Sequence, residues 1–306
     1  MRTCSTLEEF SALAAGCPVC LAMGFFDGVH LGHRRVVADA AAPGALRAVL
    51  SFANHPATVL RPECAPRLLT PDARQKDALL ETLGVDIHLC LPFTAELAAL
   101  EADVFLGQLC TAARIVRFSV GANWHFGRGG AGNTDTLRAF AAARGIQAGV
   151  SGLLEIGGER VCSSRIRHLL AGGQFDAATA LLGHPYSIAA TVEHGQHLAR
   201  SLGFPTANMR VPAAAAVPPN GVYAARCVIG GVPVCGVASL GVRPTIREEQ
   251  KVLRLETHFP GWSGDLYGRR LVVELLRFMR PERKFSGIAE LRSAIAADIA
   301  ACTAGE

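Results

Sequence analysis

The 306-residue chain has no long apolar run, no run of basic residues and no cysteine framework. No uninterrupted apolar stretch reaches the roughly 20 residues that a membrane-spanning helix needs, so no membrane partner is expected. Lys and Arg total 30 against 26 acidic residues, a formal charge of +4 and a pI near 8.6. That balance suits anionic small molecules, and without a polybasic segment no nucleic-acid partner is expected. The 10 cysteines follow no disulfide spacing, which fits a reduced cytoplasm. The opening MRTCSTLEEFSALAAGC mixes acids into a helical pattern and lacks the charged-then-apolar order of a secretory signal. The chain shows no internal repeat, and a monomer or weak homo-oligomer is expected. One CxxC, Cys17 to Cys20, has neither a second ligand pair nor a redox context. It reads as two ordinary cysteines at the start of a strand, with zinc or redox chemistry as the alternative.

What is present is apolar substance: 50% of residues are hydrophobic and 18% charged, enough for two cores. In the first half, strand and helix signals alternate. Val19–Phe26, Ala45–Phe52, Asp86–Leu91, Ile115–Val120 and Gln147–Val150 read as strands. Helices are predicted from Gly32, over Pro71–Leu83, Ala102–Ala113 and Asn133–Arg144. The alternation predicts an α/β fold with a doubly wound parallel sheet, whose ligands sit at the carboxyl ends of strands. Two short helices follow, Cys162–Leu170 and Gln174–Leu182. Beyond His184-Pro185-Tyr186 the pattern changes to strands at Ser187–Glu193, Val222–Ile229, Val232–Leu240, Leu253–Phe259 and Leu271–Arg280. Gly and Pro turns between them predict a small antiparallel β-barrel, closed by a helix over Gly287–Ala301. The domain boundary is placed at Gly183, giving domains 1–183 and 184–306.

The segment Gly24-Phe25-Phe26-Asp27-Gly28-Val29-His30-Leu31-Gly32-His33 lies where a strand turns into a helix. A helix N-terminus offers free N–H groups and about half a positive charge. Gly28 and Gly32 allow close backbone approach to a phosphate. His30 and His33, one turn apart, can donate to phosphate oxygens as charge develops. Metal-binding or surface histidines are the alternatives; helical metal pairs favour an i,i+4 spacing, whereas this pair is i,i+3. The glycine-rich run Gly127 to Gly132 lacks the Gly-Lys-Ser/Thr end of a P-loop and reads as a loop over the site. Ser163, Ser164, Arg165 and Arg167 open a helix, where serine is also a common N-cap. In the second half, Thr206 and Asn208 sit two apart on an extended stretch, so both oxygens can reach one hard cation such as Mg²⁺. Gly203-Phe204-Pro205-Thr206-Ala207-Asn208 also reads as a simple turn.

The string GFFDGVHLGH resembles the H-x-G-H motif of the nucleotidyltransferase superfamily, in the wording found in prokaryotic FAD synthetases. Ser51 to Pro56 is similar to that family's F-x-x-H-P element, Val120 to Gly127 to V-G-x-[DN]-F-x-F-G, and Val161 to Arg167 to V-S-S-T-R-I-R. Trp124 stands for the usual Phe, Cys162 for Ser and Ser164 for Thr. Downstream, Pro205-Thr206-Ala207-Asn208 resembles the P-T-A-N motif of riboflavin kinases. His194 to Arg200, Pro219 to Ala224, Leu240 to Thr245, Leu255 to His258 and Arg280 to Phe285 resemble the rest in order, with Gln196 for Asp and Ala199 for Gly.

The resemblance covers nearly the whole chain and implies a bifunctional riboflavin kinase/FMN adenylyltransferase. It implies riboflavin, FMN and ATP as substrates, FAD as product, and Mg²⁺ held by Thr206 and Asn208. His30 and His33 are implied to stabilise the triphosphate, with Gly24, Phe26, Asp27, Gly28 and Asn123 around the nucleotide. Ser163, Ser164 and Arg167 are implied to grip the leaving phosphates. Gly195, Arg200 and Arg243 are implied on the ATP side of the kinase, with Glu256 as base; an exposed strand Glu is the plain alternative. Two other classes stay open: another H-x-G-H adenylyltransferase or class I aminoacyl-tRNA synthetase, and a non-enzymatic flavin-binding regulator. The absence of a K-M-S-K-S-like segment argues against the synthetase.

Overall fold

The computed structural model describes residues 1–194, 203–243 and 252–303. The chain divides into two compact units, Met1–Arg165 and Ile166–Glu306.

The first unit runs β1 (Arg2–Cys4), α1 (Leu7–Ala14), β2 (Val19–Met23), α2 (Leu31–Asp39), β3 (Leu46–Phe52), α3 (Ala57–Leu60), α4 (Ala73–Glu81), β4 (Ile87–Leu91), α5 (Ala95–Ala98), α6 (Ala102–Ala112), β5 (Ile115–Gly121), α7 (Thr134–Ala142), β6 (Gln147–Ser151) and a hairpin of β7 (Glu155–Ile156) and β8 (Glu159–Arg160). The six long-range strands are all parallel, in the order β1-β4-β3-β2-β5-β6. Every residue of β2 is buried. That is what an uninterrupted apolar strand at the centre of a doubly covered sheet requires. Val19, Leu21 and Met23 pack with Phe10, Leu106, Leu109 and Phe140 from α1, α6 and α7. Cys20 and Ala22 point the other way, to Val36 and Val37 of α2 and Leu80 of α4. The period-2 alternation of one strand thus feeds two cores. The order reverses between β2 and β5, so the crevice predicted for a ligand opens at their carboxyl ends.

The second unit contains α9 (Phe175–Leu182), β9 (Tyr186–Glu193), β10 (Thr206–Arg210), β11 (Gly221–Ile229), β12 (Val232–Arg243), β13 (Val252–His258), β14 (Arg270–Arg280) and α10 (Ile288–Thr303); α8 (Ser163–Ala171) begins just before the division. The strands close a six-stranded antiparallel barrel in the order β10-β13-β12-β11-β14-β9. The expected barrel lacked β10, whose five residues carry Asn and Arg and follow a proline. Its alternation is nonetheless regular: Ala207 and Met209 are buried, while Thr206 and Asn208 are half-buried on the opposite face. Tyr186 and Tyr223 are fully buried, their hydroxyls donating to the carbonyls of Ala216 and Pro219. Burial pushes the Tyr223 phenol up to about 12. β1 was also missed, because three residues ahead of a helical pattern carry too little periodicity to read. Among the described residues no helix is long and apolar enough to cross a membrane.

Candidate active sites

β2 ends at Met23 rather than at the expected Phe26. Past Gly24 the backbone leaves the strand region: Phe26, Gly28 and Val29 take φ of 56°, 80° and 40°. For Val29, a buried β-branched residue, that conformation is strained and persists only because its surroundings dictate it. The turn ends on His30, which caps α2: its Nδ1 accepts the His33 N–H at 3.3 Å. An Nδ1 that accepts carries no proton, so the neutral ring has its proton on Nε2. The two imidazoles stack, with centroids 3.6 Å apart and planes at 16°. Gly32 makes this possible, since a Cβ there would lie 3.1 Å from the His30 ring. The glycine serves the histidine pair, beyond its expected role of admitting a phosphate.

His33 keeps one edge toward solvent, yet its Nδ1 is enclosed and bonded to nothing among the described residues. Burial, reinforced by the neighbouring His30 and Lys76, holds its pKa well below the usual histidine value. The enclosed His33 ring therefore disfavours its charged form. Asp27 is buried; its carboxylate accepts the Thr70 N–H at 3.1 Å, and its carbonyl accepts the Ser163 hydroxyl at 3.0 Å. Ser163, at the first position of α8, is thus anchored to the histidine turn. Ser164 and Arg167 follow on α8, whereas Arg165 turns to the β7–β8 hairpin and pairs with Glu159 at 2.9 Å. Asn123 lies exposed in the loop after β5, and its carbonyl meets His125 Nδ1 at 3.1 Å.

Two neighbours carried no role in the sequence reading. The His55 ring meets Phe25 edge-on at 4.7 Å. Lys76, from α4, is buried beneath the same turn. A signal existed for Lys76: it precedes Leu80 by four residues and so shares the core-facing stripe of its helix. Phe52 and Pro56, on either side of His55, help to line a cavity of about 190 Å³. Its aromatic wall combines Phe52 at the end of β3, Phe93 after β4, Phe105 of α6, and Trp124 and Phe126 after β5, whose rings stack at 4.2 Å.

In the second unit, strand register builds the site. Asn208 pairs with Glu193 on one side and Glu256 on the other; Glu256 pairs with Ser239, Ser239 with Val222, and Val222 with Arg280. Directly paired residues point to the same face, so these side chains form one row on the outer surface of the barrel. Thr206 and His258 form the next row. Asn208 Nδ2 donates to Thr206 Oγ1 at 3.0 Å, leaving the hydroxyl oxygen a second lone pair and the amide its carbonyl oxygen. Two neutral hard oxygens fit Mg²⁺, which keeps phosphate and water ligands of its own. Among the described residues no cluster of three His, Cys, Asp or Glu could hold a metal, so a closed protein cage is not on offer.

Thr206, Ser239 and Glu256 line one side of a cavity of about 380 Å³; Phe204, Phe285 and Leu291 supply apolar wall. α10 covers it, held by a two-pronged ion pair in which Arg280 Nε and Nη2 reach the Asp298 oxygens at 2.9 and 2.7 Å. Gly195 and Arg200, with the departures Gln196 and Ala199, lie outside the described residues, as does the Arg243 side chain. Cys17 is exposed and Cys20 buried within β2, and none of the ten cysteines forms a disulfide.

Comparison with known proteins shows the family. A family model described as FAD synthetase matches residues 14–165, and one described as riboflavin kinase matches residues 182–304. A bifunctional riboflavin kinase/FMN adenylyltransferase from Pseudomonas fluorescens is 39% identical over 92% of this chain and 91% of its own length. The protein of the same description from Escherichia coli K12 is 37% identical over 91% and 90%. The one from Listeria monocytogenes is 33% identical over 88% and 86%. A solved structure named as a macrolide-efflux protein from Streptococcus pneumoniae superposes with a TM-score of 0.85 over 99% of both chains at 22% identity, a likeness of fold alone.

Proposed function

The chain belongs to the bifunctional riboflavin kinase/FMN adenylyltransferase family, and on that footing we propose how its residues divide the two reactions. It is an enzyme that phosphorylates riboflavin to FMN and adenylylates FMN to FAD, with ATP as the second substrate of each step. The observation that supports the division is that each unit has its own cavity, one walled by aromatic rings and one lined by Thr206, Ser239 and Glu256.

In the kinase step the flavin ring occupies the 380 Å³ cavity under α10, with its ribityl end toward Glu256. The Glu256 carboxylate accepts the proton of the 5′-hydroxyl as that oxygen attacks the γ-phosphorus and ADP leaves. Thr206 and Asn208 would hold Mg²⁺, which neutralises phosphate charge when bound. Gly195, Arg200 and Arg243 are assigned to the ATP side. In the second step the aromatic cavity takes the FMN ring, and the FMN phosphate attacks the α-phosphorus of ATP with pyrophosphate leaving. His30 and His33 donate to the triphosphate, which lies over the N-terminus of α2 and the turn formed by Gly24, Phe26, Asp27 and Gly28. Asn123 positions the nucleotide, and Ser163, Ser164 and Arg167 hold the departing phosphates. Catalysis is by placement and charge, with no covalent enzyme intermediate.

The proposed domain boundary follows Gly183, next to the start of the riboflavin kinase match at 182. We place the protein in the cytoplasm as a monomer or weak homo-oligomer, without nucleic-acid or membrane partners. Its disulfide-free cysteines and its mild charge without a basic run support that placement. Product chromatography with riboflavin or FMN plus MgATP tests the division. Glu256→Gln should lose FMN formation and keep FAD formation from FMN, while His30→Ala and His33→Ala do the reverse. Loss of both activities in any of these three variants overturns the two-site assignment.

A further inference from the structure

Among the described residues Lys76 is the only lysine or arginine that is buried, at 5% exposure. An ammonium taken out of water is costly unless its donors are satisfied, so its partners show what it is for. Nζ donates to the Phe25 carbonyl at 3.2 Å and to the Phe52 carbonyl at 3.4 Å, and sits 4.5 Å from the centre of the Phe25 ring. Phe25 opens the turn that leads to His30; Phe52 ends β3 and leads to His55, whose ring returns to meet Phe25. One side chain from α4 therefore bridges the two loops at the carboxyl edge of the sheet.

No ion pair closes on Nζ among the described residues. Its helix neighbour Asp77 bonds His88 Nδ1 at 2.6 Å, and His88 Nε2 meets Ser51 Oγ at 2.7 Å. That Asp-His-Ser chain has the residues of a hydrolytic triad, but Ser51 and His88 have no exposed surface, so no substrate reaches it. It acts as a strut that occupies Asp77 and fastens α4 to β3 and β4. The ionisable groups facing Lys76 are Asp27 from the turn, Asp77 from its own helix, Cys90 from β4 and His33 from α2.

We propose that Lys76 is a positioning residue for adenylyl transfer: its ammonium fixes the His30/His33 turn against the His55 loop and keeps a preorganised positive charge beside the triphosphate. This rests on the assignment of His30 and His33 to that triphosphate. A charge installed at folding needs no reorganisation at the moment of reaction, which is when electrostatic stabilisation counts most. Burial draws the Lys76 pKa down, and the charge in turn helps to hold His33 neutral before ATP binds.

The test uses the full chain with Lys76→Met and Lys76→Arg, reading both activities and the NMR titration of the His33 ring. Lys76→Met should slow FMN adenylylation roughly 10- to 100-fold, the scale of a misplaced reacting group, and leave riboflavin phosphorylation unchanged. His33 should titrate at higher pH than in the wild type, because a charge that opposes its protonation is gone. Lys76→Arg should keep the His33 titration in place and recover part of the rate. Wild-type adenylylation in Lys76→Met overturns the proposal, and so does a lost rate with the His33 titration unmoved. If Lys76→Met unfolds the first unit, Lys76→Arg decides: an unmoved His33 with partial rate supports the role, and a displaced His33 ends it. His30→Ala and His33→Ala run alongside. If they keep adenylylation, the triphosphate assignment fails and the Lys76 role with it; if they lose it while Lys76→Met does not, only the Lys76 role fails.

Discussion

At His33, enclosure of the ring and the nearby His30 and Lys76 disfavour the imidazolium, so the folded pKa lies below the unfolded one. Below about pH 6.5 the unfolded chain binds a proton that the folded chain resists, so the stabilisation is present above that pH and is lost as pH falls toward the folded value. The urea midpoint of the first unit should therefore drop on acidification from about pH 7 to about pH 5, and His33→Gln should flatten that slope. Trp124 fluorescence in a Trp262→Phe background reports on that unit. An equally steep slope in His33→Gln would assign the acid sensitivity to other groups. The histidine spacing was legible because it belongs to one short stretch of chain. The isolation of Nδ1 and the charge of Lys76 were not, since both come from residues that only folding brings near.

α2 shows how an element serves the chemistry at its end. His30 is at once its N-cap and a candidate catalytic group, and Gly32 is the second residue of its first turn. Glycine within a helix is about 0.8–1 kcal/mol less favourable than alanine, so the choice is not made for stability. Gly32→Ala should leave the fold as stable or more so, while the new Cβ pushes the His30 ring by a few tenths of an ångström. FMN adenylylation should fall about tenfold or more, with riboflavin phosphorylation intact. An unchanged adenylylation rate in Gly32→Ala would mean that ring placement tolerates the shift. In the second unit the decisive elements are β10 and β13, whose pairing places Asn208 opposite Glu256. From the sequence the two are 48 positions apart, and a one-residue slip would turn Glu256 to the other face.

For the whole molecule, two units with separate cores imply separable stabilities. α9 packs within the second unit, where the Phe175 ring meets Tyr223 at 5.8 Å and Ala178, Leu181 and Leu182 are buried. A fragment of residues 166–306 should therefore melt roughly 5 °C or more above one of residues 184–306, since each large buried side chain contributes about 1.5–3 kcal/mol. Equal melting temperatures would place α9 outside the stabilising core of the barrel. Calorimetry of the two fragments, with riboflavin phosphorylation as the activity readout, makes the comparison.

The sequence by itself determined the two-part architecture, the parallel sheet followed by the barrel, and the chemistry of the two motif sets. Those properties are carried by residues close together in the chain: the apolar run of β2, the GFFDGVHLGH turn and the P-T-A-N string. Only the tertiary structure decided that β10 completes the barrel, that Asn208 and Glu256 share a row, that aromatic and apolar cavities adjoin each site, and that a buried lysine joins the Phe25 and Phe52 carbonyls. The physical reason is range. Periodicity and capping act over a few residues, whereas register, enclosure and buried charge depend on contacts between segments that the chain order keeps apart.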